Sequence, residues 1–325
     1  MIGSYRNAIP QGQGYCHLTN RIEDIQSADA VVFHDPDFKP NMLPVERNPN
    51  QPYIVFSLES PDNSRFKSPS GIMNWTMTYR QDSDIWYPYG TFAKMDRKRN
   101  IVHPMFQASL MISEDIDYEE IWAMKNSSLP SVVWLASNCR ATNRRSDLLR
   151  KLESKELKID KFGKCGRAAP GCDGVDKQSD ECVTRLIKPY KFYFAMENTN
   201  CKDYVTEKFY KSLHPRMAVP IVLSRKYYRN VGAPEDSYIA IDDFENLDEF
   251  AKRINQIAND KNLYLKYHKW REEYKITLEH DDLTGFCELC RRLQLSIKEH
   301  KIYNDLESWH FHGMCDETIA NRYIH

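Results

Sequence analysis

From residue 131 onward, short β-branched or aromatic runs alternate with amphipathic stretches, and this rhythm constrains the fold more than any other feature. "SVVWLAS" (131–137) reads as a strand, "RRSDLLRKLESKE" (144–156) as a helix with Leu148, Leu149 and Leu152 on one side, and "LKIDKFG" (157–163) as a strand. "DECVTRLIKPY" (180–190) is helical until Pro189 stops it, and "KFYFAMEN" (191–198) is a strand. "VTEKFYKSL" places Val205, Phe209 and Leu213 at i, i+4 and i+8, a helix face, before the buried strand "AVPIVL" (218–223). Strand–helix–strand order of this kind predicts a parallel sheet with right-handed crossovers, hence an α/β protein.

Upstream, "ADAVVFH" (29–34) and "PYIVFSLES" (52–60) read as buried strands, and "DYEEIWAMKNSSLP" (117–130) as a short helix running into a connector. The 325 residues, 41% of them hydrophobic, suit two medium domains better than one. The expected limits are 1–130 for a first domain and 131–275 for a second. Residues 276–325 are a helical tail packing back on the first.

With 45 basic and 46 acidic residues, no global field favours nucleic acid or an anionic membrane, so an anionic ligand must be held by local groups. No run of about 18 apolar residues spans a bilayer. The stretch "MIGSYRNAIPQGQGY" lacks a signal-peptide core. It fits either a native cytosolic start or a cut downstream of an anchor. Nine cysteines leave at least one outside intramolecular disulfides. Cys287-Glu288-Leu289-Cys290 lacks the second ligand pair that zinc needs, so structural disulfides in an oxidising lumen fit better. The sequons at Asn74 and Asn126 are glycosylation candidates in that compartment.

In an open parallel sheet, ligands bind beyond the carboxyl ends of strands, against helix starts. Two segments have that layout. Ser137-Asn138 precedes Arg144-Arg145, and Glu197-Asn198-Thr199 precedes Tyr204 and Glu207-Lys208. Cations at helix starts suit phosphate oxygens, and a carboxylate suits sugar hydroxyls. Together they outline a nucleotide-sugar site. The plainer alternative is a solvated Glu207–Lys211 helix pair, worth about 0.3–0.5 kcal/mol. Neither GxGxxG nor GxxxxGK[ST] occurs.

"FYFAMENTNCKDYVTEKFYKSL" (192–213) followed by "AVPIVL" resembles the donor-binding motif of the α1,3-fucosyltransferases. Three further segments match that family in order: "VFSLESPDNS" (55–64), "NWTMTYRQDSDIWYPYG" (74–90) and "VVWLASNC…RRSDLLRKL…IDKFGKCG" (132–166). The resemblance covers residues from about 55 to 245.

The resemblance implies a GT-B architecture, two Rossmann-like domains with a central cleft. It also implies inverting transfer of fucose from GDP-fucose to the 3-hydroxyl of an N-acetylglucosamine. By position, Arg145 and Lys208 look like diphosphate contacts, and Glu207 like a contact to ribose or fucose hydroxyls. Ser137, Asn138, Asn198 and Tyr204 look like further donor contacts. Glu59 in "LESP" matches the family's general base, although by itself it reads as an ordinary strand-end carboxylate. Tyr79 and Arg80 are acceptor-side candidates. No metal is obligatory where cations hold the diphosphate. Of the two DxD triplets, Asp35-Pro36-Asp37 reads as a loop and Asp82-Ser83-Asp84 as a brace for Arg80. Manganese or magnesium stimulation stays open.

The CxxC at 287–290 resembles the family's terminal cysteine pair, which makes Cys16 a candidate partner. An internal Cys287–Cys290 bridge is the alternative. The resemblance further implies a Golgi-lumenal, single-pass type II protein of which this is the soluble catalytic part, with a membrane contact only through an anchor absent from this sequence. The acceptor is an N-glycan, and the wording "ENTNCKDYVTEKFY" and "FCELC" favours its innermost N-acetylglucosamine over an antennal, Lewis-type one. A non-catalytic glycan-binding relative is the rival from another class.

Overall fold

A computed structural model describes residues 16–63, 66–96, 101–103, 106–110, 116–172, 181–278, 285–295 and 301–324. Residues 1–15, which hold the stretch read above as lacking a signal-peptide core, lie outside them. The chain divides into two compact units, one formed by the described parts of 1–88, 201–203 and 279–315, the other by those of 89–200, 204–278 and 316–325. Both carry a parallel sheet, so the α/β class with two parallel-sheet units holds. No helix among the described residues is long and apolar enough to cross a membrane.

The first unit is built on β1 (Val31–His34), β2 (Tyr53–Ser57), β3 (Trp75–Thr78) and β4 (Ile85–Trp86), all parallel and in that order. Successive residues of a strand point to opposite faces. Tyr53 and Val55 accordingly join Phe33 and Met73 in one apolar cluster, while Ile54 joins Trp75, Met77 and Ile85 in the other. Residues from the C-terminal part of the chain cover both faces. Leu306, from the helix Leu306–Phe311, enters the first cluster, and Leu289, from the helix Phe286–Gln294, enters the second. Each such leucine contributes about 1.5–3 kcal/mol by burial. Gly285 opens the second of these helices at φ 62°, and a Cβ there would lie 1.8 Å from the Tyr87 ring. Only glycine fits.

The second unit begins with β5 (Gly90–Met95), β6 (Ile101–His103) and β7 (Phe106–Leu110). These form an antiparallel sheet with a strand from much later in the chain, Tyr274–Leu278. No residue pattern in either segment announced that pairing. It is why residues 89–130, expected in the first domain, fall in the second unit by contacts. The principal sheet contains β8 (Val132–Leu135), β9 (Ile159–Phe162), β10 (Phe192–Phe194), β11 (Val219–Val222) and β12 (Ile239–Ala240), all parallel, in the order β12-β11-β10-β8-β9. Its central strands are buried throughout, as two-sided coverage demands.

The helices divide between its faces. After α1 (Tyr118–Ala123), α2 (Arg145–Glu153) packs Leu148, Leu149 and Leu152 against one face. On the other face, α3 (Glu181–Ile187) buries Val183 and Ile187, and α4 (Glu207–Leu213) buries Phe209 and Leu213 together with Val205. Then α5 (Arg225–Asn230) adds Tyr227 and Tyr228 to that second face, while α6 (Leu247–Asn259) returns to the first with Phe250, Ile254 and Ile257; α7 (Lys261–Lys266) follows. The crossover after β8 thus runs over one face and the crossover after β10 over the other, although the two strands are neighbours. That divergence opens a crevice at the carboxyl ends of β8 and β10, where doubly wound sheets bind ligands.

Candidate active site

The carboxyl ends of β8 and β10 carry the donor-side residues singled out from sequence. The turn after β8 carries Ser137 and Asn138, both exposed, and the Cys139–Cys165 disulfide pins it. At the start of α2, Arg144 takes a left-handed conformation and turns outward to Asp147 and Asn321. Arg145 turns inward and is 2% exposed. Its Nη1 donates to the Met196 carbonyl at 2.6 Å and its Nη2 to the Asn138 carbonyl at 3.1 Å, which ties the two strand ends together. Its Nε is buried with no partner. Burial holds its pKa below the usual arginine value, with Glu197 and Glu207 among the groups pulling it back.

After β10, Glu197 is almost fully buried and accepts from the backbone and hydroxyl of Thr206, at 2.8 and 2.9 Å to one oxygen. Thr206 is the N-cap of α4 and carries the turn that presents Glu207 and Lys208. The Lys208 ammonium donates to Thr206 Oγ1 at 2.9 Å and pairs with Glu197 at 3.1 Å and Glu207 at 3.2 Å. Burial acts most strongly on Lys208 and would lower its pKa, but Glu197 and Glu207 outweigh it and raise it. Burial likewise dominates at Glu197 and pushes its pKa up against the pull of Lys208. At Glu207 burial is opposed by Lys208 and Thr206, and the net direction is down. Asn198 keeps a buried Oδ1 with no partner, and Tyr204, 5% exposed, lies within electrostatic range of both cations.

Arg145 and Lys208, from separate strand–helix junctions, therefore share one electrostatic environment. Glu207 turns to Lys208 in this arrangement, so it is more than half of a solvated helix pair. Sequence reasoning passed over Glu197, Thr206 and Asn143 as site residues. Asn143 donates to the Glu197 carbonyl at 2.8 Å and to Asn200 at 3.2 Å. A threonine just before an apolar helical stripe was the available signal for the cap. Thr206→Ala is expected to cost about 1–2 kcal/mol, read as a lower urea midpoint at unchanged m.

The first unit holds the remaining candidates. Glu59 lies two residues beyond β2 with an exposed side chain, its backbone N–H donating to Ser57 Oγ at 3.2 Å. Tyr79 and Arg80 are each 2% exposed, so neither presents a surface to a sugar as it stands. Arg80 forks onto Asp82 at 2.8 and 2.6 Å, donates to the Trp309 carbonyl and lies 4.0 Å above that ring. Asp82 is its brace, as expected. Asp84 is spent on Thr76, Tyr303 and Lys301, and Asp35 is buried against the Lys67 and Ser68 amides.

Asn74 is a structural link: its Oδ1 receives Arg47 and the Tyr53 amide while its Nδ2 donates to the Lys301 carbonyl. A glycan would have to be carried by the nitrogen that makes this last bond. Asn126 is exposed, its Oδ1 receiving the Ser128 amide. Four disulfides form: Cys16–Cys290, Cys139–Cys165, Cys172–Cys182 and Cys201–Cys315. The internal Cys287–Cys290 bridge does not occur, because Cys290 is taken by Cys16. Cys287 is buried one turn earlier on the same helix, outside the four bridges.

The chain matches the family model described as "Glycosyltransferase family 10 (fucosyltransferase) C-term" over residues 123–309, and "Fucosyltransferase, N-terminal" over residues 7–90. It is 43% identical to "Alpha-(1,3)-fucosyltransferase fut-6" of Caenorhabditis elegans, with 97% of this chain and 78% of that protein covered. Against "Alpha-(1,3)-fucosyltransferase 7" of Rattus norvegicus the identity is 31%, covering 92% of this chain and 72% of the relative. A solved structure, "Crystal Structure of alpha1,3-Fucosyltransferase with GDP-fucose", aligns with a TM-score of 0.49 at 16% identity, over 86% of this chain and 80% of that one.

Proposed function

The chain belongs to glycosyltransferase family 10, the fucosyltransferases, and from that membership we propose that it moves L-fucose from GDP-fucose to the 3-hydroxyl of an N-acetylglucosamine, with inversion. The observation that carries the reading is the pairing of Arg145 and Lys208 at the sheet's switch point, with an orphaned Arg145 Nε and an orphaned Asn198 Oδ1 beside them. A diphosphate supplies acceptor oxygens for the first. Donor hydroxyls, or an amide of the base, supply protons to the second.

Lys208 has three N–H donors, and Thr206, Glu197 and Glu207 meet them. A diphosphate must displace one. Glu207, with a side chain 20% exposed against 4% for Glu197, is the one free to move. Its carboxylate then serves ribose or fucose hydroxyls, as a hydrogen-bond acceptor should. Ser137 and Asn138 border the same crevice, and Tyr204 lines it. As the bond from fucose C1 to the β-phosphate oxygen breaks, negative charge grows on GDP. Arg145 and Lys208, held by the protein beforehand, stabilise it without reorganisation. The acceptor hydroxyl gives its proton to Glu59, the exposed carboxylate two residues beyond β2. Inversion requires a base on the side opposite the leaving group. Tyr79 and Arg80 serve the acceptor side by holding their loop, since both are buried. The chemistry is routed through these side chains with no obligatory metal, so turnover should persist in chelator; manganese or magnesium can still stimulate it.

The acceptor is proposed to be the innermost N-acetylglucosamine of an N-glycan on a glycoprotein, and the compartment the Golgi lumen, reached through an N-terminal membrane anchor. The wording of the donor motif supports the former, and four disulfides support an oxidising lumen for the latter. Incubation with GDP-fucose and a panel of core and antennal glycans, with the added deoxyhexose located by mass spectrometry, tests the reading. Label on the innermost residue is expected. Label confined to antennae replaces the acceptor with a Lewis-type one, and no label on any glycan, with GDP still bound, leaves the glycan-binding relative.

A further inference from the structure

At the amino ends of the principal strands, away from the crevice, the second unit gathers basic side chains. Lys125 follows α1 and donates its Nζ to the Lys188 carbonyl at 2.8 Å. Lys191, 8% exposed at the entry to β10, holds its ammonium 5.2 Å from the centre of the Trp122 ring. That ring lies 5.6 Å from Tyr264, and Tyr264 lies 5.0 Å from the fully buried His268. His268 Nδ1 is 3.4 Å from Arg271 Nε, while its Nε2 is buried without a partner. Lys125 and Trp122 meet at the end of α1, the Lys125 amide donating to the Trp122 carbonyl at 3.0 Å.

Among the described residues, no ion pair joins Lys125, Lys188, Lys191 or Arg271 to a carboxylate. Two acids on the same segments are committed elsewhere: Glu119 to Lys261 at 2.5 Å, and Glu272 to the Tyr118 hydroxyl at 2.6 Å. Buried charges are ordinarily paired, because desolvation without a partner is expensive. Here several cations share a half-buried place and repel one another.

We propose that this cluster is a second anion site, fitted to a small tetrahedral oxyanion such as a sulfate or phosphate group and distinct from the donor crevice. Lys125, only half-buried, is the group through which the anion enters. Lys188, Lys191 and Arg271 lie within electrostatic range of Lys125, Arg271 also donating its Nη2 to the Leu213 carbonyl at 2.6 Å, and Tyr118 and Tyr264 are the other titratable groups that act on the cluster. Without an anion, burial first, and then Arg271, Lys188 and Lys191, bring the Lys125 pKa down to about 7. His268 is driven well below its ordinary value by burial, then by Arg271 and Lys125, and stays neutral. Lys125 loses its proton in the fold well before it would in the unfolded chain. Its share of stability therefore rises with pH above about 7 and is withdrawn as pH falls through that value. An oxyanion offsets the withdrawal by pairing with the protonated amine.

Isothermal titration calorimetry with inorganic sulfate at pH 6 and pH 8, in a background of matched chloride, tests the site. Saturating GDP fills the donor crevice during the titration. Saturable binding is expected, tighter at pH 6. Thermal unfolding should show a rise in Tm of about 2–4 °C when free sulfate is roughly tenfold above Kd. Lys125→Met should lose the binding while Lys208→Arg, altered in the donor site, keeps it. Methyl sulfate binding as well as sulfate indicates that the natural ligand is an ester on a larger molecule; sulfate alone indicates the free ion. No saturable heat at pH 6 in the unaltered protein overturns the proposal. So does binding that survives Lys125→Met, or that disappears with Lys208→Arg.

Discussion

Glu59→Gln is expected to abolish fucosyl transfer, lowering kcat by about 10²–10⁴-fold, while affinity for GDP-fucose is unchanged. An amide has nearly the shape of a carboxylate but cannot take a proton from the acceptor hydroxyl. Glu59 is exposed, and its hydrogen bond to Ser57 Oγ is made by the backbone N–H rather than the side chain. Stability should accordingly move by no more than about 0.5 kcal/mol. Donor affinity should be untouched because the donor residues belong to the other unit. Initial rates at saturating acceptor, paired with a GDP-fucose titration, separate the two effects. Near-normal turnover would show that another group is the base. Lost donor affinity would show that Glu59 belongs to the binding site instead.

Lys208→Ala is the second large effect, and it should appear in binding and turnover together. Losing a charge-assisted hydrogen bond to phosphate removes about 1.5–3 kcal/mol, roughly 10–150-fold in Kd for GDP. Turnover should fall further, by about 10²–10³-fold, because the charge on the leaving diphosphate is greatest in the transition state. The substitution also strands Glu197, whose side chain is 4% exposed and whose cation is Lys208. Removing one member of a buried pair costs about 3–5 kcal/mol, so the urea midpoint must be measured alongside. Lys208→Arg keeps the charge beside Glu197 and should recover most of the stability with less of the turnover. Unchanged GDP affinity in a folded Lys208→Ala protein removes the residue from its phosphate role.

The second unit's parallel sheet was legible because its strands are two-sided and hydrophobic. "FYFAM" and "AVPIVL" hold no charged residue, and the amphipathic "VTEKFYKSL" with its apolar stripe lies between them. The site was legible to the same extent. Strand ends followed by cations mark a crevice, and Arg145, Glu207 and Lys208 meet there. The antiparallel sheet was not legible. Its pairing of Ile276 with Phe92 joins residues far apart in sequence, and neither segment carries an alternation strong enough to announce a partner. Burial of Tyr79 and Arg80 was hidden for a related reason: the indole and carbonyl that hold Arg80 belong to Trp309. Glu197, named at the strand end, received no role because its partner, Thr206, is nine residues on, a spacing that belongs to no local motif.

The bonds from Cys16 to Cys290 and from Cys201 to Cys315 place a constraint on biosynthesis. Translation proceeds from the amino end, yet the sheet that begins at Val31 waits for Leu289 and Leu306 to cover it, and Cys201, three residues before Tyr204, waits for Cys315. A nascent chain halted near residue 280 on the ribosome has its donor motif already outside the tunnel but lacks the partners that close the first unit. Such a chain exposes apolar strands to whatever chaperones the compartment holds, and only after residue 315 emerges can both bridges be oxidised.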